Sequence, residues 1–371
     1  MIRASVLVFA VALFTAINVN PAAAQAQSQS TATLRVAMAG LAHGHADGFL
    51  NHIKDRHDVE LVGIAEPDKS IFDRYAAKFH LDPKLYHADL DELLTATKPQ
   101  AVLVYTNTHD HVRAVEICAK HKVPVMMEKP LAISIDDAHA IERAAKSANI
   151  PVLVNYETTW YRSNRAAYDL VHENKIGPVR KVVVHDGHSG PAKINVQPEF
   201  FAWLNDAKLN GAGALYDFGC YGADLMTWLM DGRRPDSVTA ITQHFQPNTY
   251  KVDDEGTILV AYPKAIAILQ ASWNWPFDRK DMEVYGETGY AITVKRDDVR
   301  VRLPGEQQEN LVNAKPIPAP EDDSINYLRA VVLDNLKPSG LSALDTNVIV
   351  TEILDSARQS AAIGKTIHLK Q

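Results

Sequence analysis

The sequence predicts an α/β protein in two parts: a doubly wound parallel sheet, then an α+β domain on a large, mostly antiparallel open sheet. Three observations carry this. Short apolar runs alternate with amphipathic segments through residues 34–155, and about 120 residues of strand-helix alternation build a Rossmann-type parallel sheet with helices on both faces. Beyond Asn155 the rhythm changes to runs rich in Val, Ile, Thr and Tyr, separated by turn residues, between Ser237 and Leu303, which reads as an antiparallel meander. The 371 residues also exceed what a single core usually supports.

In chain order, residues 1–24 read as a signal peptide. A positive start (Met1-Ile2-Arg3) leads into an apolar run from Ala4 to Val19, and Ala22-Ala23-Ala24 before Gln25 fits a small-residue cleavage site. A retained anchor is the weaker alternative, because the run falls short of the roughly 20 residues a membrane span needs. With no twin arginine and no cysteine after it, the expected address is the periplasm of a Gram-negative bacterium, with no stable membrane anchor after cleavage. Residues 25–33 form a polar linker. Strands are predicted at Leu34 to Ala39, Leu61 to Ala65, Ala101 to Tyr105, Val123 to Met127 and Val152 to Asn155. Helices are predicted at Ala46 to Arg56, Ser70 to Phe79, Leu90 to Thr97, His111 to His121 and Asp136 to Ser147. Residues 34–155 would be the cofactor-binding domain and residues 156–371 a substrate and oligomerisation domain. The second opens with a helix over Asn164 to Asn174 and a strand over Val179 to His185. A longer helix follows over Ala214 to Leu229, then the meander, and helices near Ser324 to Leu336 and Leu344 to Ile363 close the chain.

Net charge is −7, with no basic block or aromatic-basic interleaving, so nucleic acid is not expected and a small-molecule partner is. Cys118 and Cys220 are the only cysteines; they fall in different predicted domains, and neither has metal-ligand spacing.

Five clusters carry chemistry. The first strand runs into Gly40-Leu41-Ala42-His43-Gly44-His45, a partial dinucleotide fingerprint that keeps only its first glycine. Glu66 ends the second strand, where a carboxylate would accept both ribose hydroxyls and repel a 2′-phosphate, favouring NAD over NADP; the other reading is a solvated acid opening the Glu66-Pro67-Asp68 turn. The strand after it ends in Thr106-Asn107-Thr108-His109-Asp110-His111, either cofactor contacts from Thr106, Asn107, Thr108 and His111 or a helix cap served by Thr108 or Asp110. His43-x-His45 and His109-x-His111 invite a metal reading, but no acid or cysteine stands at ligand spacing, so no metal site is expected.

Next, the buried run Val123 to Met127 stops at Glu128-Lys129-Pro130. The carboxyl ends of parallel strands line the ligand crevice, so Lys129 would point into it; the plain alternative is a surface Glu-Lys pair beside a turn proline. Last, Gly211-Ala212-Gly213 precedes Asp217 and Tyr221, four apart and so on one helical face. A nearby Lys129 would favour the phenolate of Tyr221; otherwise Asp217 caps the helix and Tyr221 packs in the core.

Taken together, the partial fingerprint, Glu128-Lys129-Pro130, the Gly-rich Asp217-x-x-x-Tyr221 and the C-terminal sheet domain resemble the Gfo/Idh/MocA family of glucose-fructose oxidoreductase and inositol dehydrogenase. The resemblance covers nearly everything after Leu34. It implies NAD or NADP in the first domain, a sugar or cyclitol over the nicotinamide, Lys129, Asp217 and Tyr221 around the reacting hydroxyl, and often a cis lysine-proline bond. Many members carry histidine where this chain has Tyr221. Position adds Asn155 near the nicotinamide, and Tyr156, Trp160, Arg162, His188, Trp275 and Arg279 as substrate candidates, with Trp273 as a further stacking ring. The expected protein is an exported sugar or cyclitol oxidoreductase, a homodimer or tetramer, with tightly bound NAD. A redox-neutral NAD-dependent glycosidase and a non-catalytic NAD- or sugar-binding protein are the alternatives.

Overall fold

The computed structural model describes residues 32–370. The expected signal peptide, and the linker but for its last two residues, lie outside the described residues. The first sheet holds six parallel strands: β1 (Leu34–Ala39), β2 (Val59–Ala65), β3 (Tyr86–His87), β4 (Ala101–Val104), β5 (Val125–Glu128) and β6 (Val152–Asn155). Their order, β3-β2-β1-β4-β5-β6, puts the switch point between β1 and β4, where α/β sheets open a crevice. β4 and β5 are buried at every residue, as strands covered on both faces must be. The covering helices are α1 (His45–Ile53), α2 (Lys69–Phe79), α3 (Leu90–Thr97), α4 (His111–His121) and α5 (Ile135–Ala148). Asp68, Asp89 and Ser134 cap α2, α3 and α5 by accepting backbone N–H bonds. The sequence reading missed β3, because two residues are too few to show a period.

The chain then forms α6 (Arg162–His172), β7 (Val179–Gly187), α7 (Pro198–Leu204), α8 (Ala207–Asn210), α9 (Ala214–Asp217) and α10 (Gly219–Leu229). Strands β8 (Ser237–Gln243), β9 (Glu255–Tyr262), β10 (Ala265–Ser272), β11 (Arg279–Gly286), β12 (Tyr290–Val294), β13 (Asp298–Arg302) and β14 (Asn310–Asn313) follow. Then come α11 (Ser324–Leu333), α12 (Leu344–Ile363) and β15 (Ile367–His368).

The nine-stranded sheet runs β14-β13-β12-β11-β7-β10-β9-β8-β15. The expected meander is therefore split. β7 enters its middle, antiparallel to β11 and parallel to β10. The single helix expected over Ala214 to Leu229 is two helices interrupted at Phe218. α7 and α8 had no expectation at all. Helices α10 and α12 bury Leu225, Met226, Ile353 and Leu354 with Val182, Val184 and Ile258 of the sheet. On the sheet, Ile241, Leu259 and Ile266 stand exposed. Helix α11 crosses back, and its Ile325, Leu328 and Val331 complete the core beneath β1 and α1 with Leu34, Met38 and Phe49. Cys118 and Cys220 are buried free thiols. Among the described residues no helix is long and apolar enough to cross a membrane.

Candidate active site

β5 ends at Glu128, and the Lys129–Pro130 peptide that follows is cis. Lys129 is 5% exposed, and its Nζ donates to Asp217 Oδ1 at 2.6 Å and to the Asp217 carbonyl at 2.9 Å. The other carboxylate oxygen, Oδ2, accepts the indole N–H of Trp273 at 2.9 Å. Trp273, expected as a stacking ring, is fully buried and orients Asp217 instead. Burial alone would pull a proton off Lys129, but the adjacent Asp217 outweighs it and holds the ammonium above the ordinary lysine range. Burial pushes the Asp217 carboxyl the other way and again loses, to Lys129. Both members are therefore charged at neutral pH.

Asp217 is the last residue of α9, whose first turn is fixed by Asp253: its carboxylate accepts the N–H groups of Gly213 and Leu215, each at 2.8 Å. Tyr221 lies beyond the break, in α10. Although one continuous helical face does not exist, both residues meet Lys129. Its Nζ stands 5.0 Å from the Tyr221 ring centroid, and Lys280 Nζ stands 4.9 Å from the same ring. The expected phenolate is a point of correction. The ammonium lies over the ring face, and burial, followed by the nearby Cys220, Glu157 and Asp217, pushes the phenol well above its ordinary value. Tyr221 keeps its proton.

Three neighbours carried no sequence signal. Lys280 pairs with Glu157 and sits opposite Asp186 in the β11–β7 register. Asp186 is buried with neither carboxylate oxygen bonded, and burial pushes it well above the carboxylate range. The β11–β7 register, which is invisible in sequence, sets Asp186 opposite Lys280, and Lys280 reaches the Tyr221 ring.

The glycine loop is held from several sides. Gly40 has φ +81°, and a Cβ there would stand 2.8 Å from Thr106 Cγ2, so only glycine lets β1 turn beneath β4. His43 N–H donates to the Tyr105 carbonyl at 2.9 Å. Leu41 N–H donates to Glu66 Oε2 at 2.7 Å and Asp68 N–H to Glu66 Oε1 at 3.0 Å; Glu66 is buried, and burial raises its pKa. α1 begins with no side-chain cap, and the N–H groups of Ala42 and Gly44 donate to nothing among the described residues. A helix start with free N–H groups beside a strand-end acid suits a dinucleotide, so the residues present fit one. α7 forms the outer wall. Trp203 Nε1 donates to the Ala42 carbonyl at 3.0 Å, and a Cβ on Gly44 would meet Phe200 at 2.7 Å.

Of the other expected residues, Asn107 caps the turn at Thr108–Asp110, its side-chain Oδ1 accepting the Asp110 N–H at 3.1 Å, displacing the expected Thr108 and Asp110. Thr106 Oγ1 donates to the Asn107 carbonyl. Thr108 is buried with its hydroxyl unbonded. His111 shares a hydrogen bond with the Leu131 carbonyl, and burial lowers its pKa to about 4. Glu128 turns from Lys129 to His45 Nδ1, 2.9 Å away, and accepts from Asn155, which in turn accepts from Trp160 Nε1.

His43, His45 and Glu128 each bring a ligand atom within 4.8 Å of the others, so the acid missing from the sequence spacing arrives from β5. His43 Nδ1 also accepts the His45 N–H at 3.2 Å, a bond that a metal taking that nitrogen would have to displace.

Tyr156 is buried edge-on to Tyr221, ring centroids 5.5 Å apart. His188 accepts the Gly190 N–H and packs on Phe218 near Asp217. Trp275 lies against Gly187. Arg162 and Arg279 are not brought to Lys129; they pair with Asp297 and Asp281.

Residues 34–156 match the oxidoreductase family with an NAD-binding Rossmann fold, and residues 164–292 match the GFO/IDH/MocA C-terminal domain, together more than half of the chain. The chain belongs to the Gfo/Idh/MocA family. As a member it is an NAD-binding oxidoreductase. It is 24% identical over 318 residues to trans-1,2-dihydrobenzene-1,2-diol dehydrogenase of Xenopus tropicalis, covering 82% of this chain and 91% of that protein. It is 26% identical to the NADP(+) D-xylose 1-dehydrogenase of Haloarcula marismortui over 51% of this chain and 52% of that one.

Two solved Gfo/Idh/MocA-like structures share its fold. They are aldose-aldose oxidoreductase of Caulobacter crescentus with glycerol (TM-score 0.77, 21% identity, 91% of this chain and 100% of that one) and an inositol dehydrogenase homolog of Azotobacter vinelandii with NAD+ (TM-score 0.77, 18% identity, 91% and 98%).

Proposed function

We propose that this chain is an exported, NAD-preferring oxidoreductase acting on a hydroxyl group of a sugar or cyclitol, with Lys129, Asp217 and Tyr221 at the reacting oxygen. One observation carries the reading. A lysine ammonium at the carboxyl end of β5 is withdrawn from water, matched by a carboxylate that an indole N–H holds, and laid against a buried phenol. That arrangement stabilises charge developing on a substrate oxygen and keeps a proton within reach. The substrate class draws on the relatives, which are named for sugar, diol and inositol oxidation.

The N–H groups of Ala42 and Gly44 and the start of α1 would hold the dinucleotide's phosphates, and Glu66 its ribose. When bound, the nicotinamide supplies the hydride acceptor or donor. Glu66 supports NAD over NADP, because two backbone N–H groups hold its carboxylate at the end of β2, where a 2′-phosphate would meet like charge.

Lys129 and Tyr221 both hold their protons at rest, so the site is set to give one to a carbonyl oxygen. Oxidation of a hydroxyl requires it first to lose a proton, and oxidation therefore speeds up as pH rises. Asp217 keeps the ammonium in place throughout.

The signal peptide and the lack of a dependable periplasmic nucleotide pool support a cofactor retained between turnovers, reduced by one substrate and reoxidised by a second. The exposed Ile241, Leu259 and Ile266 on the nine-stranded sheet support a dimer or tetramer through that face.

Purifying the exported protein, denaturing it and identifying the released nucleotide tests the reading, followed by a panel of sugars and cyclitols. The expected result is NAD, reduced by at least one of them. Failure to carry or bind either nucleotide overturns it. Release of a free aglycone with no net cofactor reduction turns it into a glycosidase.

A further inference from the structure

A cavity of about 440 Å3 opens where α6, α10, the loop from Ser339 to Ser342 and the start of α12 meet. None of Lys129, Asp217 or Tyr221 lines it. Its volume falls in the range of small-molecule sites, and its wall is unusually aromatic. Tyr168 and Trp228 stack at 3.9 Å with planes 7° apart, and His172 stacks against Tyr168 at 3.7 Å, so the Trp228 indole is fixed in the wall. Gly340, at φ +68°, brings the backbone beside the Trp228 N–H edge. Trp160 and Tyr327 add two more rings, with centroids 5.9 Å apart.

Two features choose the ligand. Ser342 is 1% exposed, and its hydroxyl and the buried Thr159 hydroxyl have no hydrogen-bond partner. Unbonded buried hydroxyls are destabilising, and a ligand hydroxyl would satisfy them. Arg165 is the one cation lining the cavity among the described residues, and Asp169 and Glu321 already match it, while Asp231 adds a further acid. An anionic ligand finds no spare positive charge, and a methylated cation would leave both hydroxyls unbonded. The electron-rich ring faces suit the C–H groups of a saturated ring, which carry slight positive charge.

We propose that this cavity is a second ligand site, for a neutral polyhydroxylated ring such as one hexose unit of a glycan. Trp160 joins it to the neighbouring crevice, since it also borders the cavity at His45 and Glu128 and is bonded through Asn155 to Glu128. The site does not depend on the chemistry proposed for Lys129.

Calorimetric titration of the full exported protein with cellobiose tests it, with tetramethylammonium and glucose 6-phosphate as competing probes. A binding event is expected that survives Lys129→Met within twofold and weakens at least tenfold in Trp228→Ala. Ser342→Val, which removes a single hydroxyl, should weaken it at least threefold and covers the case in which Trp228→Ala fails to fold. The proposal is overturned by unchanged affinity in Ser342→Val, by loss of the event in Lys129→Met, by absence of cellobiose binding, or by either charged probe binding in its place.

Discussion

Lys129→Met removes the ammonium from a pocket in which Asp217 is also buried, leaving a carboxylate whose remaining side-chain partner is the Trp273 N–H. At 2.6 Å and an effective dielectric near 20, the attraction in the pair is about 6 kcal/mol, much of it offset by the cost of desolvating both ions. Taking one partner from a buried pair costs about 3–5 kcal/mol, because the other charge stays behind, whereas replacing both is often near neutral. Lys129→Met and Asp217→Asn should each destabilise by that amount in urea denaturation at pH 7, and the double variant should be more stable than either single one. The ordering has a defined pH window. Asp217 is depressed below its ordinary 3.8, so its contribution is full above that value and is lost as pH falls through its folded value. Lys129 is raised above its ordinary 10.5, so its contribution is full below that value and is lost as pH rises through its folded value. In each single variant burial acts unopposed on the group left behind, so the penalty of Lys129→Met should begin to shrink, as pH falls, above the ordinary 3.8 of Asp217, and that of Asp217→Asn should begin to shrink, as pH rises, below the ordinary 10.5 of Lys129, with a flat stretch between. A double variant as unstable as the sum of the two singles would refute the reasoning, since the charges would then not be coupled.

Three other outcomes follow from the same geometry. Tyr221→Phe removes a proton carrier and little packing, so turnover should fall by roughly 10²–10⁴ while the melting temperature stays within about 2 °C of the parent. Glu66→Ala frees the Leu41 and Asp68 N–H groups and removes the charge facing a 2′-phosphate. Equilibrium titration should show NAD affinity falling and its ratio to that of NADP dropping about tenfold or more. The oxidation rate should climb with pH through the range 7–10 without a plateau. In Asp217→Asn, burial of Lys129 is no longer opposed by the carboxylate, so the climb should move to lower pH; an unmoved profile would remove Lys129 from the proton path.

The alternation of apolar runs and amphipathic helices made the parallel sheet legible, since buried parallel strands and their helices write two distinct periods into the chain. Glu128-Lys129-Pro130 was legible too, because an acid, a base and a proline at a strand end contradict burial unless something binds there. Asp217 and Tyr221 were found through helical spacing, yet no helix connects them, and their meeting depends on the break at Phe218 and on Asp253 fixing α9. Lys280 and Asp186 were beyond reach, because β7 enters the middle of a sheet in which β8 to β14 otherwise follow in order, and a pairing between distant segments leaves no local trace. The charge of Tyr221 was misread for a related reason. Spacing gives proximity to Lys129 but says nothing of whether the ammonium meets the oxygen or the ring.

Helix α11 has a mechanical meaning. The chain leaves the parallel sheet at β6, builds most of the nine-stranded sheet, and then sends Ile325, Leu328 and Val331 back under β1 and α1. The nucleotide-binding half is thus sealed by residues made almost last. A fragment ending near residue 156 would present a bare apolar groove to water, and a stop introduced before residue 324 would strip the seal without touching a single strand of the parallel sheet. The two halves are also tied at three crossings, after β6, into α11 and out of α11 to α12 and β15, a geometry that favours sliding over a wide swing about one linker.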